Sequence, residues 1–168
     1  GVRDVCRCNN GRSVLGEPFF RAIADTDSEM RAAHASAASS MPVFLALVKS
    51  NSGAECLAKL RFRDPDLSDQ TGKDEFFYLW LCAVVFHAEQ GILSGVFFEV
   101  PAGFEKWHPK GKRLGFEPED VFDWMVNEDG HLRGGYTIRV TRSRLPESER
   151  PGYDSYIGVK SYEPLAHA

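Results

Sequence analysis

A single-domain α+β fold, built as one twisted antiparallel sheet of four to five strands with an N-terminal helical layer packed on one face, is predicted by three features of the sequence. Alanine-rich residues near the N-terminus repeat with a helical period. Residues 76–86 form an aromatic and β-branched run that turns at Glu89-Gln90-Gly91 into a second run over 92–100. Residues 55–63 alternate between apolar and charged side chains, the period of a strand with one wet face.

Each element follows in order. Residues 1–25 lack a clean period, contain Asn9-Asn10-Gly11, and read as an N-terminal arm. Thr26 with Glu29 makes a capping-box pattern, and the Ala, Met and Glu that follow favour a helix over 28–40. Met30, Ala33, His34 and Ala37 share one face, which puts His34 at the rim of the apolar stripe as a packed histidine rather than a ligand. Pro42 suits the first turn of a second helix through Val48, ended by residues 51–53. In 55–63, Cys56, Ala58, Leu60 and Phe62 face the core while Lys59, Arg61 and Arg63 face water. Residues 64–74, with Pro, Gly and several acidic side chains, read as a solvated loop. The run 76–86 is the central strand, and its hairpin with 92–100 is the heart of the fold. Residues 101–113 form an irregular loop holding Phe104 and Trp107, and 114–116 is a short stretch after it. Pro118, with Glu119 and Asp120 at the positive end of a helix dipole, starts a short helix through Trp124. Residues 131–140 make a last strand interrupted at Gly134-Gly135. The domain core therefore spans 26–141, and 142–168 is an extended tail lying across it.

Charge and composition narrow the function classes. Twenty Lys and Arg against 24 Asp and Glu leave a formal charge of −4, which supplies no long-range pull on phosphate backbones. A nucleic-acid partner is not expected, the one basic face being Lys59, Arg61 and Arg63. The longest apolar stretch, 76–86, falls short of the ~20 residues of a spanning helix, so no membrane span is predicted. The chain begins at Gly1 rather than Met, which leaves room for a leader removed upstream. The expected compartment is the cytoplasm, with the periplasm as the alternative. Cys6 and Cys8 form a C-x-C, and Cys56 and Cys82 stand alone in apolar stretches, so no pair has the spacing of a zinc or dithiol site. Two buried thiols and two arm thiols are expected in place of a disulfide, and neither a metal nor a cofactor.

No G-x-S-x-G, H-E-x-x-H, phosphate loop or dinucleotide fingerprint occurs, and no catalytic residue is assigned. The leading expectation is a non-catalytic binding domain with another protein as partner, by analogy with immunity-type proteins that neutralise a toxin. Its candidate surface is the loop with Phe104, Trp107 and His108, joined by the turn around Asp129 and His131; against it stands the simpler possibility that the loop aromatics fold back on the sheet. Asp120 and Asp123, three apart, are a candidate carboxylate pair or cation site, better explained by dipole compensation and ion pairing with Arg139 or Lys112. The second expectation is a small hydrolase or other enzyme using Asp123, His131 or His108 as general base.

Asp123-Trp124-Met125, the acidic turn Glu128-Asp129-Gly130, and the string Gly134-Gly135-Tyr136-Thr137-Ile138-Arg139 together resemble the signature of the YegJ-like bacterial family, domain of unknown function 2314. The likeness extends upstream to the Ala-rich helix and Pro-containing turn of residues 30–44, and to Trp80 and Gly95-Val96 in successive strands. It covers about residues 26–141. Two departures stand out: Phe77 and Tyr78 replace a Glu-His before the strand Trp, and Glu99-Val100-Pro101 replaces an Asn-x-Pro, so an acid/base site built from those residues is not carried over. What the resemblance implies is a small bacterial α+β domain, without an activity or cofactor attached to it.

Overall fold

The structure is a computed structural model that describes residues 27–165; the N-terminal arm of residues 1–25, with Cys6 and Cys8, lies outside them. Helix α1 (Ser28–Ser39) starts where the Asp27 carboxylate accepts the Met30 N–H at 3.1 Å, so Asp27, not Thr26, is the cap. Helix α2 (Met41–Ser50) carries Pro42 in its first turn and ends at Asn51, which takes the left-handed conformation. The break between the helices, Ser40, accepts the Trp124 indole N–H at 2.9 Å and so pins both helices to the sheet.

The sheet has seven strands in the order β4-β3-β2-β1-β5-β6-β7. Strand β1 (Glu55–Arg63) is central, between β2 (Phe76–His87) and β5 (Val121–Glu128); β3 (Ile92–Phe97) and β4 (Arg113–Phe116) extend one side, β6 (His131–Gly134) and β7 (Ser161–Tyr162) the other. All neighbours are antiparallel except β6 and β7, so the sheet is mixed. The count exceeds the four to five expected because β5 starts inside the stretch 118–124 expected as a helix, and because β7, two residues long, is too short for a period of two to show.

Both faces are covered, not one. Phe44, Met41 and Val48 of α2 and Ala37 of α1 pack on Ala58, Leu60, Leu79, Leu81 and Trp124, with Phe44 stacked on Trp124 at 5.3 Å. The other face, with Leu57, Trp80, Cys82, Val96 and Met125, is sealed by α4 (Tyr136–Arg144), α5 (Arg150–Ile157) and Val159 through Ile138 and Tyr153. Residues expected as an extended tail thus contribute Tyr153 and Val159 to the buried layer on this face.

Local chemistry explains the other departures. Asp64 accepts the Leu67 N–H at 3.0 Å, Pro65 follows at the first turn and Gly72 closes the end, so the expected loop contains helix α3 (Pro65–Thr71). The predicted helix over 118–124 is a single 3-10 turn, Pro118–Asp120, after which the chain extends into β5. The predicted last strand stops at Gly134: Gly134 and Gly135 both have positive φ, 73° and 64°, a reversal that turns strand into helix α4. Cys82 is disulfide-bonded, which corrects its expected place as a buried free thiol; Cys56 is free.

Candidate functional site

The five side chains expected to form a binding surface are not brought together. Phe104 is buried at 3% exposure, packed edge-on against Phe62 and Trp107. Trp107 is half-buried, and the His108 ring stacks on Phe97 at 4.7 Å; burial, then the neighbouring Lys112, lowers its pKa. These loop aromatics fold back on the sheet, at the β3–β4 edge and beside the C-terminal end of β1. Asp129 and His131 lie exposed at the β5–β6 turn, opposite the N-terminal end of β1, with His131 Nδ1 2.8 Å from the Ser161 hydroxyl. Asp123, the remaining candidate base, sits in neither place.

Asp123 is on β5 and has no exposed surface, where sequence placed it on a helix beside Arg139 or Lys112. Its carboxylate accepts four hydrogen bonds: from the N–H of Trp124 at 2.8 Å, of Tyr136 at 3.2 Å and of Thr137 at 2.8 Å, and from the Thr137 hydroxyl at 2.5 Å. Helix α4 is preceded by Gly135, which has no side chain to cap it, and Asp123 caps it from the neighbouring strand. A carboxylate offers about four acceptor positions, so none is left to take a proton from a substrate.

The charge opposite Asp123 is Lys59, its cross-strand neighbour. Lys59 was expected to face water but is 4% exposed, its ammonium 5.2 Å from the Tyr78 ring centre and 6.0 Å from that of Trp80. Burial pulls its pKa down to about 8 against the pull of Asp123, and burial raises that of Asp123 against Lys59 and the hydrogen bonds. Phe122, the extra residue of a bulge that shifts the β1–β5 register, packs on Tyr78 at 5.2 Å and on His34 at 5.3 Å. Among the described residues the buried His34 Nε2 and Tyr153 hydroxyl find no hydrogen-bond partner, and burial pushes the Tyr153 pKa up. The sequence signal for this cluster was a lysine inside a continuous apolar run, but Arg61 and Arg63 at the same period masked it.

His34 gives the cluster a pH signature. Burial, then the charge of Lys59, lowers its pKa to about 4, with Asp27 opposing. The folded value lies below the unfolded one of about 6.5. The unfolded chain therefore takes up the proton first, and stability falls as pH drops from 6.5 through 4. Urea midpoints measured at pH 7, 5.5 and 4.5 are expected to fall more steeply in wild type than in His34→Gln; parallel profiles would contradict the assignment.

A second locus is open to solvent. β1 and β2 pair from Ala58 and Leu81 to Arg63 and Phe76, and beyond that register, among the described strands, Glu55–Leu57 pairs with β5 and Val85–His87 with β3. The β2–β3 register shifts at Ala83, whose φ of 50° lies in the left-handed region, within a bulge opposite Gly95. A Cβ on Gly95 would stand 2.8 Å from that of Leu81, so the close approach requires glycine. Arg113 braces the bulge, donating to the Ala83 carbonyl at 3.2 Å and to the Ser94 hydroxyl at 2.9 Å, and His87 Nε2 lies 2.7 Å from the same hydroxyl. Between these strands and the end of α2 lies a cleft of about 920 Å³. Its lining is mostly apolar, including Leu47, Val84, Val85 and Phe86, with Lys49 and Arg113 as cations and Glu55 as a carboxylate. Val85 is 43% exposed, and the free Cys56 thiol, its pKa pushed up to about 11 by burial, is inert in this setting.

Among the described residues no group of three His, Cys, Asp or Glu side chains is placed to hold a metal ion, and no helix is long and apolar enough to cross a membrane. No curated protein and no solved structure matches the chain. Residues 27–161 match a family described as an uncharacterized protein conserved in bacteria, DUF2314, a span that takes in the bulged β2–β3 hairpin, Asp123 and both capping helices of the second face; the chain belongs to that family.

Proposed function

We propose that the chain is a non-catalytic domain that binds another protein, of the kind that docks on or neutralises its partner, and that the cleft beside the β2 bulge is its recognition surface. The observation that carries this is the cleft itself: an apolar hollow of about 920 Å³ held open by a strained Ala83 in the middle of the longest strand. A left-handed alanine costs about 1–2 kcal/mol, and such strain gathers where a surface is shaped for use. A hollow of that volume with a few polar groups at its rim is the form binding sites take. The buried polar cluster supports the same reading, since its carboxylate is consumed in holding α4.

A photo-crosslinking phenylalanine placed at Val85, and separately at Glu105 and Asp129, tests it in cells of the bacterial host. A discrete adduct with one protein from Val85 alone is expected. Adducts from Glu105 or Asp129 alone would move the surface to the loop of Trp107 and His108 or to the turn of Asp129 and His131. No adduct from any position would overturn the binding reading.

A further inference from the structure

We infer that the cleft recognises an Asp or Glu side chain beside an apolar anchor on its protein partner, the carboxylate being held by the free edge of the Arg113 guanidinium with Lys49 as the second cation; this rests on the binding reading above. Arg113 is on β4, across from Val96 of β3, and reaches over to the bulge of β2. Its Nη1 donates to the Ala83 carbonyl at 3.2 Å and to the Ser94 hydroxyl at 2.9 Å. Those two bonds use both hydrogens of that nitrogen, while Nε and Nη2 make no hydrogen bond among the described residues and Arg113 is exposed. A guanidinium is a rigid fork of five N–H donors, and its Nε–Nη2 edge is a two-donor match for a carboxylate. Two bonds to the bulge already hold the side chain, so part of the rotamer freedom that an arginine gives up on binding is lost before the partner arrives.

The surrounding charges favour the same ligand. Arg63, Lys106, Arg142 and Arg144 each sit in a salt bridge, whereas neither Arg113 nor Lys49 does so among the described residues. The Lys49 ammonium lies over the Phe86 ring at 4.5 Å, in the last turn of α2. Glu55, the carboxylate of the lining, is already engaged within the chain and forms no salt bridge with either cation. Two cations without a counter-charge thus line an apolar hollow, where the exposed Val85 and half-buried Leu47 offer an aromatic or aliphatic anchor a surface on which to lose its water. The formal charge of −4 sets the source of the anion: a DNA duplex brings one charge every ~1.7 Å against that field, whereas a protein segment brings a single carboxylate into the cleft.

The test removes the carboxylate from the probe as well as the fork from the protein. A library of displayed peptides is selected on the full-length chain, and the enriched peptides are resynthesised with each Asp or Glu changed to its amide. Enriched peptides are expected to carry an acidic residue next to an aromatic or aliphatic one, and loss of that carboxylate is expected to weaken binding about tenfold. Arg113→Lys should weaken it by a like factor, because an ammonium lacks the fork. Lys49→Glu, which leaves the bulge brace intact, should weaken it several-fold. On the Arg113→Lys protein the acid and amide peptides should bind almost alike, since the two changes remove one interaction; losses that add independently would overturn the pairing with Arg113. The peptide-side change needs no protein variant, so a disturbed bulge in Arg113→Lys leaves the carboxylate itself open to test. Peptides lost on Val85→Trp, which fills the hollow, yet indifferent to amidation and to Lys49→Glu would overturn the acidic ligand while leaving the cleft as the binding surface. Peptides indifferent to Val85→Trp as well bind elsewhere and overturn the cleft reading itself. Enrichment of peptides that match this chain's own sequence would give the cleft to a second copy and overturn a separate partner. An empty selection rejects the acidic segment, and crosslinking from Val85 then decides the binding reading on its own.

Discussion

Asp123→Ala is expected to cost about 3–5 kcal/mol of folding stability, the range for breaking a buried charged pair from one side. Two losses add. The N–H groups of Tyr136 and Thr137 at the start of α4, and the Thr137 hydroxyl, lose their acceptor. Lys59, buried opposite, keeps a positive charge with no carboxylate to offset it. Asp123→Asn should fare only a little better, because its NH2 half confronts donors where the carboxylate presented a second acceptor. Combining Asp123→Ala with Lys59→Met removes the stranded charge, so the double variant should recover part of the loss. The uncapped α4 still keeps it below wild type, a cap being worth about 1 kcal/mol. Urea unfolding of wild type, Asp123→Ala, Lys59→Met and the double variant as a double-mutant cycle measures this. An Asp123→Ala protein within about 1 kcal/mol of wild type would show that water or rearrangement replaces the carboxylate, contrary to its complete burial.

Gly134→Ala should be the most damaging single methyl that can be added. A Cβ at that position would lie 2.5 Å from the Trp124 carbonyl oxygen and 2.6 Å from its ring, at a φ of +73°. The backbone oxygen cannot swing aside, because it accepts the Gly135 N–H at 2.7 Å. Left-handed strain of about 1–2 kcal/mol and overpacking of about 1–3 kcal/mol sum to roughly 3 kcal/mol or more. At this chain length that lowers the melting temperature by about 6–12 °C. Gly135→Ala is the internal comparison: its Cβ meets Leu132 Cδ2 at 2.9 Å, the movable end of a side chain, and should cost less. Equal melting temperatures for the two variants would refute the steric account.

The parts of the fold legible in sequence are those whose burial repeats with one period. Residues 28–48 show a helical stripe, and the β2–β3 hairpin announces itself by aromatic and β-branched runs around Glu89-Gln90-Gly91. Where local and tertiary preferences conflict, the sequence misleads. Thr137, Ile138 and Val140 are β-branched and favour a strand, yet two left-handed glycines and a carboxylate from β5 make the segment a helix. Pro118-Glu119-Asp120 has the chemistry of a helix start, but the residues after it are held extended by their pairing with β1. The candidate sites are less legible still. Lys59 shares its period with Arg61 and Arg63, and only cross-strand neighbours at Asp123, Tyr78 and Trp80 reveal that burial begins there. The cleft depends on the bulge of β2 at Ala83, in a run without glycine or proline to mark the bend, so no periodicity argument could find it.

The covering of the sheet's second face has a practical corollary for anyone dissecting the gene. A fragment cut after Thr141 would keep all but the last, two-residue strand, yet lose Tyr153 and Val159, which sit over the layer that contains Trp80 and Val96. That newly bared greasy floor would seek a cover from neighbouring molecules, and the fragment belongs in inclusion bodies, however complete its list of strands looks on paper.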